Sequence, residues 1–140
     1  MILPLVGAAI VALCLALVVV VARERGVAPD DVAVAYEVAW DRLDFATVWT
    51  LSGPELHDGR DRGAFVAAKR RAYADRAELG GLLDRVTIDE VATGAKAAVV
   101  GTRLHLRDGS EVRNEVRLRR RRARWEVVGY ALRPVAPTTP

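Results

Sequence analysis

Residues Lys96–Arg119, KAAVVGTRLHLRDGSEVRNEVRLR, decide the fold of this chain. Ala98, Val100, Thr102, Leu104 and Leu106 fall on one side of a period of two, and Arg103, His105 and Arg107 fall on the other. Strict alternation of this kind belongs to a half-buried β-strand, because successive side chains point to opposite faces. Asp108-Gly109 then supplies a hairpin turn. The alternation resumes over Glu111–Arg119, with Val112, Val116 and Leu118 inward and Glu111, Arg113, Glu115, Arg117 and Arg119 outward. The outer face carries both signs of charge across two antiparallel strands, where opposite charges pair for a few tenths of a kcal/mol each.

Reading outward, a turn near Arg121-Arg122-Ala123 leads to a last strand, Trp125–Leu132, which Arg133-Pro134 ends. Upstream, Asp84–Thr93 reads as a first strand, with Val86, Ile88 and, after a slip, Val91 inward. Before it the period is that of a helix. Pro29-Asp30-Asp31 is a helix start, and Val32, Ala35, Tyr36, Ala39, Trp40 and Leu43 form its apolar side, opposite Glu37, Asp41 and Arg42. A second short helix follows a break at Asp44, with Phe45, Val48, Trp49 and Leu51, and Ser52-Gly53-Pro54 stops it. A third is expected from about Arg62 to Leu79, ended by Gly80-Gly81. Three helices followed by a four-stranded antiparallel meander make an α+β fold, with helices on one face of the sheet and a polar opposite face.

The chain opens differently. Ile2–Ala22, ILPLVGAAIVALCLALVVVVA, holds no charged side chain, and Arg23-Glu24-Arg25 follows at once. About 20 apolar residues in a helix span a hydrocarbon core of about 30 Å. A cleaved secretory signal would want a basic residue before the run and a small-residue cleavage site after it, and neither is present. A helix apolar all round has no core in so small a chain to surround it. The expectation is a retained single-pass anchor over residues 1–25, a domain over 26–134 and a short tail over 135–140. Arg23 and Arg25 on the C-terminal flank place the N-terminus outside and the domain in the cytoplasm; an extracytoplasmic domain is the alternative. The single cysteine, Cys14, lies inside the run, so no disulfide forms within the chain.

Of the 21 basic residues only Lys69 and Lys96 are lysine. Residues 27–93 hold 8 basic and 13 acidic side chains, whereas residues 94–140 hold 11 basic and 4 acidic. Such asymmetry predicts an oriented electrostatic surface.

Four stretches in this order resemble the NTF2-like (cystatin-like, SnoaL-like) superfamily: AYEVAWDRLDF at 35–45, ATVWTLSGPEL at 46–56, DRGAFVAAKRRAYADRA at 61–77 and RARWEVVGYALRP at 122–134. The last holds a closing Trp-x-Val strand at Trp125 and Val127. The likeness covers about residues 29–134 and is similar in detail to the small membrane-anchored members of actinobacteria. It implies a helix-covered curved sheet around a conical cavity, in which some members are isomerases or dehydratases using Asp, Tyr or His.

Tyr36, Trp40, Tyr73, Trp125 and Tyr130 are expected in the space between helices and sheet, as core packing or, in the alternative, as the lining of that cavity. No catalytic residue is assigned. Asp41 and Asp44 fall at the edge and end of the first helix, His57 in a turn, and His105 on the polar face of its strand. An enzyme working through Tyr36 and Asp41 is the runner-up reading. The two histidines and one cysteine are too scattered for a metal site, and no phosphate-binding glycine loop or nucleophile elbow is present, so no metal and no cofactor are expected. Arg117, Arg119, Arg120, Arg121, Arg122 and Arg124 gather around the last turn. They are candidates for contact with anionic lipid or an acidic partner. Nucleic acid is not expected, because no aromatic side chain is interleaved with them before Trp125. The leading expectation is a membrane-anchored binding or accessory module, with residues 2–22 in the lipid bilayer and a membrane protein as partner. A homodimer through the open sheet face is a further alternative.

Overall fold

Helix α1, Pro29–Asp41, begins with proline at its start and Asp30 and Asp31 in its first turn. Proline costs little there because that N–H has no helical partner, and the two acids face the positive end of the helix dipole. The computed structural model describes residues 26–133. Helix α2, Phe45–Leu51, is capped by Asp44, whose carboxylate accepts the Thr47 N–H at 3.1 Å. Asp61 caps α3, Arg62–Ala72, by accepting the Ala64 N–H at 2.8 Å. Each cap satisfies a backbone donor that the first turn leaves free.

The third helix is shorter than its composition suggests. It ends at Ala72 rather than Leu79, and Ala77–Leu79 forms a separate single 3-10 turn. Tyr73 is the reason: its ring packs on Trp40 and Phe45, with centroids 6.0 and 5.4 Å away. The chain turns at that contact, and tertiary packing overrides the local preference for helix.

Strands β1 (Leu83–Thr93), β2 (Ala97–Leu106), β3 (Glu111–Arg121) and β4 (Arg124–Arg133) form one antiparallel sheet in sequence order. The slip in β1 is a register shift between Ile88 and Glu90. At the β2–β3 turn Gly109 takes φ +87°, and the Asp108 carboxylate accepts the Ser110 N–H at 2.8 Å and its hydroxyl at 2.6 Å. The β3–β4 turn is a tight two-residue loop, with Arg122 and Ala123 both left-handed at φ 48° and 61°.

The helices lie on one face of the sheet. Val32, Ala33, Tyr36 and Ala39 of α1, Val48 of α2 and Phe65 of α3 are buried with Ala98, Val100, Val116, Leu118, Trp125 and Val127 of the sheet. Beyond α2, Gly53 donates its N–H to the Val127 carbonyl at 2.8 Å, so this loop covers part of the β4 edge. The outer face is laced with ion pairs. Arg103 lies between Asp89 at 3.0 Å and Glu111 at 3.4 Å, and Arg133 between Glu115 at 3.0 Å and Glu90 at 3.1 Å. Gly101, in the same row as Glu90 and Glu115, leaves room for these side chains: a β-carbon there would sit 3.3 Å from Glu90 Cγ. The apolar run 2–22 and the tail 135–140 lie outside the described residues. Among the described residues no helix is long and apolar enough to cross a membrane.

Candidate functional site

At one end of the sheet the helices stand clear of the strands and leave an open cleft of about 670 Å³. Tyr36, Glu37, Trp40 and Asp41 of α1 form one wall, and Leu104 and Leu106 of β2 with Tyr130 and Leu132 of β4 form another. Tyr73 and the segment carrying Leu79, Leu82 and Leu83 close the third side. The break after α3 is what brings Leu79 and Leu82 there. Leu79, Leu82, Tyr130 and Leu132 are large apolar side chains left exposed, with Leu132 at 72%. Among the described residues no basic side chain lines this cleft.

Glu37 is the residue that sequence reasoning placed wrongly. Helical spacing puts it on the solvent side of α1, yet it is 2% exposed. Its carboxylate accepts from the Thr102 hydroxyl at 2.7 Å and Asn114 Nδ2 at 3.1 Å through Oε1, and from the Tyr130 hydroxyl at 2.9 Å through Oε2. Asn114 Nδ2 also donates to the Tyr130 oxygen, while Asn114 Oδ1 is buried without a partner. Burial raises the Glu37 pKa above its ordinary value, and the three donors offset only part of that rise. The Tyr36 and Tyr130 hydroxyls are also harder to ionise, chiefly through burial, with the Glu37 charge adding to it. One signal in the sequence did point here. Thr102 and Asn114 occupy inward positions of their strands and are direct cross-strand neighbours. Two polar side chains facing a core require a buried polar partner.

Of the lining candidates, Tyr36, Trp40, Tyr73 and Tyr130 lie on the cleft walls. Trp125 does not; it is 8% exposed and belongs to the core, paired across the sheet with Arg120. Asp41 lines the cleft, but its Oδ1 accepts the N–H groups of Leu82 and Leu83 at 2.8 and 2.9 Å and so fastens the start of β1 to the end of α1. His57 stacks on Trp49 with ring planes 15° apart, and His105 lies on the outer face between Thr87 and Glu111. No cluster of three or more metal-ligating side chains occurs among the described residues.

No family model matches this chain, and no curated protein matches it. Among solved structures it is similar to a Campylobacter jejuni protein described as an NTF2-like transpeptidase, with 16% identity and a TM-score of 0.57 over 72% of this chain and 97% of that one. The chain has the NTF2-like fold. Weaker likenesses include a DUF4783 family protein of Bacteroides ovatus, with 12% identity and a TM-score of 0.44 over 70% of this chain and 90% of that one. A Catenulispora acidiphila protein with a ketosteroid isomerase-like fold, solved in complex with trimethylamine, gives 16% identity and a TM-score of 0.44 over 76% of this chain and 87% of that one.

The end of the NTF2-like sheet opposite the cleft carries the arginines, and the fold divides them. Arg117 pairs with Glu115 at 2.8 Å, and Arg124 donates to the Thr50 carbonyl at 3.2 Å. Arg121 is clamped between Glu55 and Glu126, and its guanidinium holds the Glu55 carboxyl down at about 2. The six arginines are therefore two groups: Arg117, Arg121 and Arg124 are engaged by partners within the fold, and Arg119, Arg120 and Arg122 enter no ion pair among the described residues.

Proposed function

We propose that this protein is a membrane-tethered binding module that holds an apolar small molecule in the cleft. The observation that carries the reading is the cleft itself: about 670 Å³, walled by four aromatic rings and leucines, with polar groups gathered at Glu37 and Tyr130. Ligand sites are typically concave, mostly apolar and furnished with a few placed polar groups. The Glu37 carboxylate has both oxygens occupied by internal donors. Asp41 Oδ1 is likewise taken by the Leu82 and Leu83 N–H groups, which favours a binding role over the isomerase-like alternative through Tyr36 and Asp41, in which a general base must be free to reach the substrate proton. Residues 2–22 would serve as the tether and residues 26–133 as the receptor for a ligand delivered to, or taken from, a membrane-protein partner.

Photolabelling of the full chain in phosphatidylcholine vesicles with the neutral apolar reagent 3-trifluoromethyl-3-phenyldiazirine tests this. Label is expected on peptides containing Leu104 and Tyr130 as well as on the apolar run, and Leu104→Trp, which fills the cleft, should abolish only the former. Label confined to the apolar run would refute the binding reading.

A further inference from the structure

The two ends of the sheet differ: the apolar cleft lies at one, and a cluster of basic side chains lies at the other, where α1 also begins with Asp30 and Asp31 in its first turn. The cleft lies where β1 begins and where β2 and β4 end, with Leu83, Leu106 and Leu132 in its walls. At the other end the β1–β2 and β3–β4 turns lie side by side, joined by the Arg120 N–H donating to the Lys96 carbonyl at 2.8 Å. Lys96, Arg119 and Arg122 are exposed there and Arg120 is half-buried, and none of the four enters an ion pair among the described residues. The acids of the cleft, Glu37 and Asp41, are at the far end.

The chain enters the domain at the basic end. Gly26 lies against the β3–β4 turn so closely that a β-carbon on it would sit 3.0 Å from the Ala123 carbonyl oxygen. Only residues 23–25 separate Gly26 from the apolar run. From Pro29, α1 then runs 13 residues, about 20 Å, to Asp41 at the cleft. The point of entry and the cleft are thus at opposite ends of both α1 and the sheet.

We propose that the domain stands on the bilayer on its β3–β4 hairpin, with Lys96, Arg119, Arg120 and Arg122 against anionic phospholipid head groups, and opens its cleft away from the membrane. This rests on the membrane-tethered reading above. An anionic leaflet attracts basic side chains held within a Debye length of about 10 Å, and the short connection to the apolar run keeps these residues in that range. The eight residue steps along β4 from Arg124 put Leu132 about 25 Å farther from the head groups. The ligand then enters from the aqueous phase and not laterally from the lipid.

The test uses the full chain with Cys14→Ser, leaving a background free of cysteine, and single labelling sites at Arg122→Cys or Leu132→Cys. Both positions are exposed, so neither fluorophore disturbs the core. The proteins are reconstituted in vesicles of phosphatidylcholine and phosphatidylglycerol containing a lipid with a quencher on its head group. The Arg122 site should be quenched at least about threefold more than the Leu132 site, given the separation along the strand. Replacing Lys96, Arg119 and Arg120 by serine, or omitting phosphatidylglycerol, should relieve the quenching at Arg122. Equal quenching at both sites, or the reverse order, overturns the proposed orientation while the tether stands. If the protein fails to float with the vesicles after a high-salt wash, the tether and the orientation fall together.

Discussion

At the scale of single residues, Glu37 dominates. A carboxyl inside a mostly apolar wall keeps its proton more readily when folded than when unfolded. The native state therefore binds a proton that the unfolded chain has released. The stability contribution of Glu37 is greatest below the ordinary value of 4.5 and declines as pH rises toward its raised folded value. Glu37→Gln keeps an acceptor at the site and does not titrate. Its urea midpoint is expected to gain on that of the parent as pH rises from about 4 to about 8, and parallel midpoints would contradict the assigned pKa direction. Thr102→Val removes one of the three donors and should cost about 1–3 kcal/mol in the same measurement. The sequence shows Glu37 only as a polar residue beside an apolar stripe. What decides its burial is the packing of α1 over Thr102, Asn114 and Tyr130, residues far along the chain that no local pattern brings to it.

At the scale of elements, turns and ion pairs set the details. Arg122 and Ala123 are both left-handed, a conformation that costs a residue with a β-carbon and costs glycine nothing. Ala123→Gly should stabilise the protein by about 0.5–1 kcal/mol, the relief exceeding the added freedom of the unfolded chain; a lower thermal midpoint would show that the turn is unstrained. Arg121 ties the 3-10 turn Pro54–Leu56 to β3 through Glu55. With the Glu55 carboxyl depressed to about 2, the stability from this pair is present above 4.5 and is lost as pH falls through about 2. Arg121→Ala should flatten the pH dependence of the urea midpoint over that acid window, and an unchanged slope would remove Glu55 as its source. The strands and the first two helices were legible because alternation and 3.6-residue spacing are local. The end of α3 was not, because Tyr73 stops the helix by reaching Trp40 and Phe45, residues about 30 positions upstream.

At the scale of the molecule, basic side chains gather at the β1–β2 and β3–β4 turns, and the apolar cleft with Glu37 and Asp41 in its wall lies at the other end of the sheet. Sidedness is the prediction that belongs here. With Arg23 and Arg25 favouring the cytoplasmic side, protease added to intact cells should leave the domain untouched and protease added to inverted vesicles should remove it. Digestion in intact cells would put the cleft on the outer side and exclude cytosolic ligands.

The sequence by itself determined the order of elements, the α+β class and the faces of the meander, because backbone periodicity is written residue by residue. It also marked which segment is apolar enough to span a membrane. Only the tertiary structure decided that Glu37 is buried and that three of the six arginines are spent on internal partners. It also brought Gly26 against the basic hairpin. Each of these depends on contacts between residues far apart in the chain, fixed by how helices and sheet pack and not by the local pattern of either.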